Sequence, residues 1–342
     1  MKKHKILVMR YRFVGDTILT IPFLRNLRKN YPDSQIDMLV APVSGEVIAN
    51  CPYVDNFIYF DTTKKHRYEN SDKQEKKNFF YYVKLLRKEK YDKTYVLKRS
   101  LSSALLAFFA GIPKRIGFDT EGRGFLLTKR VKYIENKHEV DCFLDVLEQD
   151  GLKVYDNYLE NWIDETLKQK MQDKLPANKE IALVHATSGN INKEWSEENF
   201  ARIIEYLSNE KDLIPVFLGT KKDNEKYERI LSFINTELKN KPISFCGEFD
   251  LVESLAMTSL AKIMVGCDSG NLHMAASLNI PVVGIYGPMN YNKWFALGEN
   301  CQILHANLDC MPCGLKKPCP IEHKCLKDIT VEQVKNAINK IV

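Results

Sequence analysis

Three segments of the 342-residue chain put glycine, hydroxyls and an ionisable side chain directly after a short apolar run. The first is Arg10-Tyr-Arg-Phe-Val-Gly15-Asp16-Thr17. Gly15 permits a backbone angle closed to other residues. Asp16 then opens a helix predicted over residues 17–30. An aspartate there serves as an N-cap worth about 1 kcal/mol, as a carboxylate that accepts a proton from a hydroxyl, or as both. No Gly-x-Gly-x-x-Gly is present, which argues against a dinucleotide-dependent dehydrogenase. Pro22 falls inside the predicted helix and should kink it or delay its regular part.

The second segment is His185-Ala-Thr187-Ser188-Gly189-Asn190-Ile-Asn-Lys193-Glu-Trp195-Ser196. Hydroxyls, a glycine and a lysine at a strand end suit a phosphate cradle, and the alternative is an ordinary polar loop. Ser196 should cap the helix that follows, with Asn199 as its third residue. The third is Cys267-Asp268-Ser269-Gly270-Asn271-Leu-His273, an apolar strand running into an Ala-rich helix. Free N–H groups at such a helix start hold anions, and Ser269 and Gly270 suit a pyrophosphate. The plain readings are a cap for Asp268 and a satisfied, half-buried histidine for His273.

A fourth cluster is Cys310-x2-Cys313-x5-Cys319-x5-Cys325, four of the chain's nine cysteines. In a reducing compartment such a run is either a structural zinc or iron–sulfur site or a set of free thiols in an irregular loop. Its spacing is not that of a standard zinc finger. The other five cysteines sit among apolar neighbours and read as core residues.

These segments need elements to hold them. Apolar runs at residues 5–9, 36–40, 57–60, 94–97, 181–185, 214–218, 243–245, 263–265 and 282–286 read as strands, with helical periodicity between them. Alternating strand and helix implies parallel sheets covered by helices. The pattern restarts at Ile181 after a polar stretch ending in Pro176. The expected organisation is an N-terminal domain over 1–176, a second over 177–325, and a final helix over 326–342 packing back on the first. The fold class is α/β, two Rossmann-like domains facing across a cleft. Ligands bind beyond the carboxyl ends of such strands, where the three loops lie.

Composition is that of a globular protein, 44% hydrophobic and 27% charged. The longest apolar stretch, residues 101–112, is too short to cross a bilayer, and residues 6–9 are too short for a signal peptide. A cytoplasmic protein is expected. The net charge of +6 is modest, but the basic clusters concentrate in the first half, among them Lys64, Lys65, Arg67, Lys98-Arg99 and Arg123. They are either a solvated surface or a field for an anionic ligand or membrane.

Gly15-Asp16, Pro113-Lys-Arg-Ile-Gly-Phe118, the Lys193 and Trp195 loop, Cys267-Asp-Ser-Gly-Asn-Leu-His273 and Tyr286-Gly-Pro288 occur in this order. The set resembles bacterial lipopolysaccharide heptosyltransferases over nearly the whole chain. That resemblance implies the GT-B fold and inverting transfer of heptose from ADP-heptose to the lipopolysaccharide inner core, without a catalytic cofactor or metal. It implies Asp16 as general base and Lys193 at the departing diphosphate. Donor contacts would be Thr187, Ser188, Gly189, Lys193, Asp268, Ser269, Gly270 and His273, with Asp223 near the ribose and Phe249 on the adenine. Acceptor contacts would be Gly15, Lys64, Lys65, Arg67 and Arg123, facing acidic Kdo sugars. The anionic lipid acceptor implies peripheral contact with the inner membrane. Two other readings stand beside this one: a transferase of the same fold with another nucleotide sugar, and a nucleic-acid-binding protein with a zinc-bound tail. The second lacks aromatics interleaved with its basic stretches, so no nucleic-acid partner is expected.

Overall fold

A computed structural model describes residues 3–60, 77–315 and 318–342. The chain divides into two compact units, residues 1–158 and 159–342. In the first unit the order is β1 (Lys5–Met9), α1 (Val14–Ile18), α2 (Ile21–Asn30), β2 (Gln35–Val40), α3 (Pro42–Glu46), β3 (Asn56–Tyr59), α4 (Phe79–Glu89), β4 (Lys93–Val96), α5 (Leu101–Phe109), β5 (Lys114–Phe118), β6 (Lys129–Val131) and α6 (Glu139–Gln149). In the second it is α7 (Glu165–Gln172), β7 (Ile181–His185), α8 (Glu197–Asn209), β8 (Ile214–Phe217), α9 (Asn224–Ser232), β9 (Ile243–Ser244), α10 (Leu251–Thr258), β10 (Ala261–Cys267), α11 (Gly270–Ser277), β11 (Val282–Tyr286), α12 (Tyr291–Trp294), β12 (Cys301–His305), α13 (Lys324–Lys327) and α14 (Val331–Asn339).

Each unit holds one six-stranded sheet, ordered β3-β2-β1-β4-β5-β6 and β12-β11-β10-β7-β8-β9. All pairings are parallel. Both faces of such a sheet are covered, so the central strands are apolar throughout: Ile6, Leu7, Val8 and Met9 are fully buried. In each sheet the chain leaves its first strand for one side, then returns to the other. The topological switch points therefore fall between β1 and β4 and between β7 and β10, where open α/β sheets take their ligands. At the second of these Gly266 pairs with His185, and a Cβ on Gly266 would meet the His185 carbonyl at 2.8 Å.

Local signals explain the helix starts. Pro22 does not kink one long helix but divides it: α1 stops at Ile18, and α2 begins with Pro22 in its first turn, where the missing N–H costs nothing. Ser196 caps α8 by accepting from Asn199 N at 3.2 Å. Thr330 caps α14 in a box with Gln333. Helix α8 buries Phe200, Ile203, Ile204 and Leu207, each contributing about 1.5–3 kcal/mol.

Two organisational expectations change. The division falls at Tyr158 rather than Pro176, because the polar α7 is no linker: its Met171, with Leu175, is buried in the second unit's core. The last helix belongs to the second unit as well. Val334, Ala337 and Ile338 of α14 join Phe200, Ile204 and Leu207 of α8 in one cluster, and Tyr206 donates to Asn339 at 2.5 Å. Its apolar stripe matches α8 of its own unit.

Candidate active site

At the β1/β4 switch point, strand β1 delivers Arg10, which is 4% exposed. The next turn carries Arg12 at φ 140°, an angle costing a non-glycine residue about 1–3 kcal/mol and found mostly at functional sites. Gly15, expected to carry that strain, instead sits inside α1 and is buried. The N-cap of α1 is Phe13, with no side-chain cap bond. Asp16 therefore caps nothing. Its carboxylate lies 2.6 Å from Arg10 Nη2.

Strand β4 delivers Lys98 and Arg99 to the same point, Lys98 N donating to the Met9 carbonyl at 3.0 Å. A second carboxylate arrives from α6: Glu139, fully buried, lies 3.9 Å from both Arg10 Nη2 and Arg99 Nη2. Tyr133 O–H donates to it at 2.6 Å, and the Arg99 guanidinium stacks 3.9 Å above the Tyr133 ring. Burial pushes the Asp16 carboxyl above its ordinary range. Arg10 opposes that rise and Glu139 adds to it. Burial, with repulsion from Arg10 and Arg12, lowers Lys98 to about 8. This cluster of the first unit can hold an anionic molecule and take a proton from it.

Arg123, expected to touch such a ligand, has its Nε and Nη1 engaged by the main chain. It is fully buried, and its guanidinium donates to the main-chain carbonyls of Phe118, Lys98 and Ser100. It fixes the turn that presents Lys98 and Arg99. Lys64, Lys65 and Arg67 lie outside the described residues.

At the β7/β10 switch point, Lys193 Nζ lies 2.8 Å from Asp268 Oδ2, and Ser188 Oγ donates to the Asp268 carbonyl at 3.4 Å. Asp268 is thus a lysine partner rather than a cap. The N-cap of α11 is Ser269, whose side chain bonds no helix N–H and whose buried hydroxyl has no hydrogen-bond partner among the described residues. Gly270 opens α11, and His273 is buried in that helix. Thr187 and Ser188 are buried and Gly189 is exposed. Glu194 sets the loop, accepting from Ser188 N at 2.7 Å and pairing with Lys226 at 2.5 Å. Trp195 pins it further, through N–H donation to Cys267 Sγ at 3.3 Å and from its ring to the Ile329 carbonyl at 2.9 Å.

Asp223 and Phe249 follow β8 and β9, the neighbouring strands. Asp223 Oδ2 accepts from Thr220 N and Thr220 Oγ1 at 2.7 and 2.8 Å, a capping box. Phe249 is half-buried and stacked on Phe245 at 4.8 Å. Both lie along one sheet edge with the Lys193 cluster.

Sequence reasoning passed over Glu139, Glu194 and Lys226. Arg10, Lys98 and Arg99 carried a usable signal, since each directly follows a strand. Glu139 carried none.

The four clustered cysteines are free thiols. Cys319 Sγ accepts from His323 N at 3.1 Å. Burial raises Cys325 to about 11, and Cys319, Cys313 and Cys310 are close enough to add to the shift. Among the described residues no group of three His, Cys, Asp or Glu side chains is arranged to hold a metal ion.

Residues 80–325 match the model of glycosyltransferase family 9 (heptosyltransferase). The chain is 26% identical to lipopolysaccharide heptosyltransferase 2 of Escherichia coli, covering 99% of this chain and 98% of that one. It is 28% identical to lipooligosaccharide heptosyltransferase 2 of Haemophilus ducreyi, covering 99% of each. A family 9 glycosyltransferase structure from Veillonella parvula superposes with a TM-score of 0.84 at 24% identity, covering 100% of this chain and 98% of that one.

Proposed function

From the premise that this chain belongs to glycosyltransferase family 9, the heptosyltransferases, we propose that it moves heptose from ADP-heptose, with inversion, onto a lipopolysaccharide inner core. The acceptor is Kdo-lipid A or heptosyl-Kdo-lipid A. The names of the relatives support the substrate class. The observation that carries the reading is the Lys193–Asp268 pair beside the unpartnered Ser269 hydroxyl at the start of α11. On this reading the donor's diphosphate lies there. It takes Lys193 and the Ser269 hydroxyl and meets the free N–H groups of the helix start.

The acceptor hydroxyl attacks the anomeric carbon of the heptose. A new carbon–oxygen bond forms on one face as the bond to ADP breaks on the other. Asp16 takes the hydroxyl proton late in the step. ADP leaves with the bonding pair, and its added charge falls on Lys193 and the α11 N-terminus. These groups supply the positive charge that a metal supplies in other transferases. Arg10, Arg12, Lys98 and Arg99 meet the acidic sugars of the acceptor, with Lys64, Lys65 and Arg67 as further candidates. Membership of this family sets aside the nucleic-acid reading. The reaction carries a cytoplasmic location, at the inner face of the inner membrane.

Calorimetric titration with ADP, UDP, GDP and ADP-heptose, with and without EDTA, tests this. Selective binding of ADP and ADP-heptose that survives EDTA is expected. Preference for UDP or GDP would point to another nucleotide sugar. A zinc ion on Cys310, Cys313, Cys319 and Cys325 is a separate proposal, supported by the clustering of four thiols near one another, although among the described residues no three of them are arranged to hold a metal ion. Elemental analysis decides it: one zinc per chain upholds the site, and none removes it.

A further inference from the structure

Helix α5 inverts the usual pattern of a surface helix. Its inner residues Ser103, Ala104, Leu106 and Ala107 are buried, as expected. Its outer face is apolar too: Leu101, Phe108 and Phe109 are 42%, 46% and 45% exposed, and Leu105 is half-buried. The helix, Leu-Ser-Ser-Ala-Leu-Leu-Ala-Phe-Phe, holds no charge. A helix apolar all round is normally covered on every side. Helix α4 packs beside it, the Arg87 guanidinium donating to the Phe109 carbonyl at 2.5 Å. It adds Phe80, 75% exposed, and Tyr81, 47% exposed.

Among the described residues the unpaired charges on the rim of this patch have one sign. Lys84, Arg87 and Lys88 occupy the exposed face of α4, and Lys114 and Arg115 follow α5, with the Arg115 guanidinium 5.3 Å from the Phe108 ring. Glu89, the acid on α4, is paired with Lys5. We propose that this α4–α5 face docks on an anionic bilayer surface. Exposed aromatics beside lysine and arginine are what such an interface takes: rings enter the headgroup boundary while cations meet anionic lipid. The charge selects against a second copy of the chain, since a two-fold contact here would set five cations against five. No described helix is long and apolar enough to cross a membrane, so the contact is peripheral. The inference rests on the proposed function only for which bilayer is met. The face belongs to the unit that carries Asp16 and so brings it to a lipid-anchored acceptor.

The test is flotation of the purified full chain with vesicles of phosphatidylcholine alone or with phosphatidylglycerol, both free of lipopolysaccharide. Binding is expected to be roughly tenfold greater on the anionic vesicles. Phe108→Ser with Phe109→Ser should remove that binding with only a modest fall in melting temperature, because both side chains are near half exposed, and the chain should stay folded at the assay temperature. Lys84→Glu with Lys88→Glu should remove it as well. Equal binding to both vesicles, absence of binding, or unaltered binding by the variants overturns the proposal. So does a wild-type dimer that the serine variant dissolves. ADP titration of the same preparations separates the two readings: lost nucleotide binding with retained anionic binding sinks the proposed function alone.

Discussion

A single nitrogen of Arg10, Nη2, lies 2.6 Å from an Asp16 oxygen and 3.9 Å from one of Glu139. One guanidinium therefore holds the proposed base and balances a second, fully buried carboxylate. Asp16→Asn keeps the shape and leaves Arg10 beside Glu139. It should fold normally and lose about 10²- to 10⁴-fold in turnover, measured at saturating donor. Burial holds the Asp16 carboxyl above its ordinary 3.8. Its ionisation therefore opposes folding, and stability falls as pH rises through that raised value. The asparagine variant should melt no lower than wild type at pH 7, which calorimetry checks.

Glu139 acts through its neighbours and is a positioning residue. Its charge raises Asp16, so Glu139→Gln should move the acid limb of kcat/KM to lower pH. Turnover should fall roughly tenfold while ADP affinity stays constant. An unmoved pH profile would leave Glu139 a purely structural role.

Lys98, lowered to about 8, is charged below that pH and neutral above it. Affinity for an anionic acceptor should therefore fall as pH rises through about 8, seen as a rise in acceptor KM. Lys98→Arg keeps its charge and should abolish that limb.

Lys193→Ala removes the cation from Asp268 and from the proposed diphosphate. ADP affinity should fall by about 10- to 100-fold, the worth of one charge-assisted hydrogen bond. The melting temperature should also fall, because Asp268 remains buried without its lysine. Restored thermal stability in Lys193→Ala with Asp268→Asn, without restored affinity, would separate the two effects.

Much of this arrangement was legible in the chain, and the limits have physical causes. Nine strands showed as apolar runs because parallel strands are covered on both faces. β5, β6 and β12 did not. β5 begins Lys114-Arg115, β6 spans three residues, and β12 is an edge strand half-buried along its length. Ser196 announced its helix because capping is local. Asp16 and Asp268 carried the same local signal, yet each turned to a cation, Asp16 to Arg10 of its own segment and Asp268 to Lys193 of the loop after β7. The domain division was misplaced because α7 has a single buried residue, Met171, among polar ones. Glu139 reaches the Asp16 cluster through α6, more than 120 residues along the chain, and no spacing rule spans that separation.

The bond from the Trp195 ring to the Ile329 carbonyl has a consequence for how the protein is made. The loop bearing Lys193 is tied to the segment leading into α14, and α14 completes the cluster around Phe200 and Ile204. During synthesis the first unit can fold while the second is still emerging. The Lys193 loop stays without its support until Ile329 and α14 have emerged. Removal of residues 329–339 would leave the Asp16 cluster assembled and the Lys193 loop unsupported, so the proposed donor site depends on a segment more than 130 residues further along the chain.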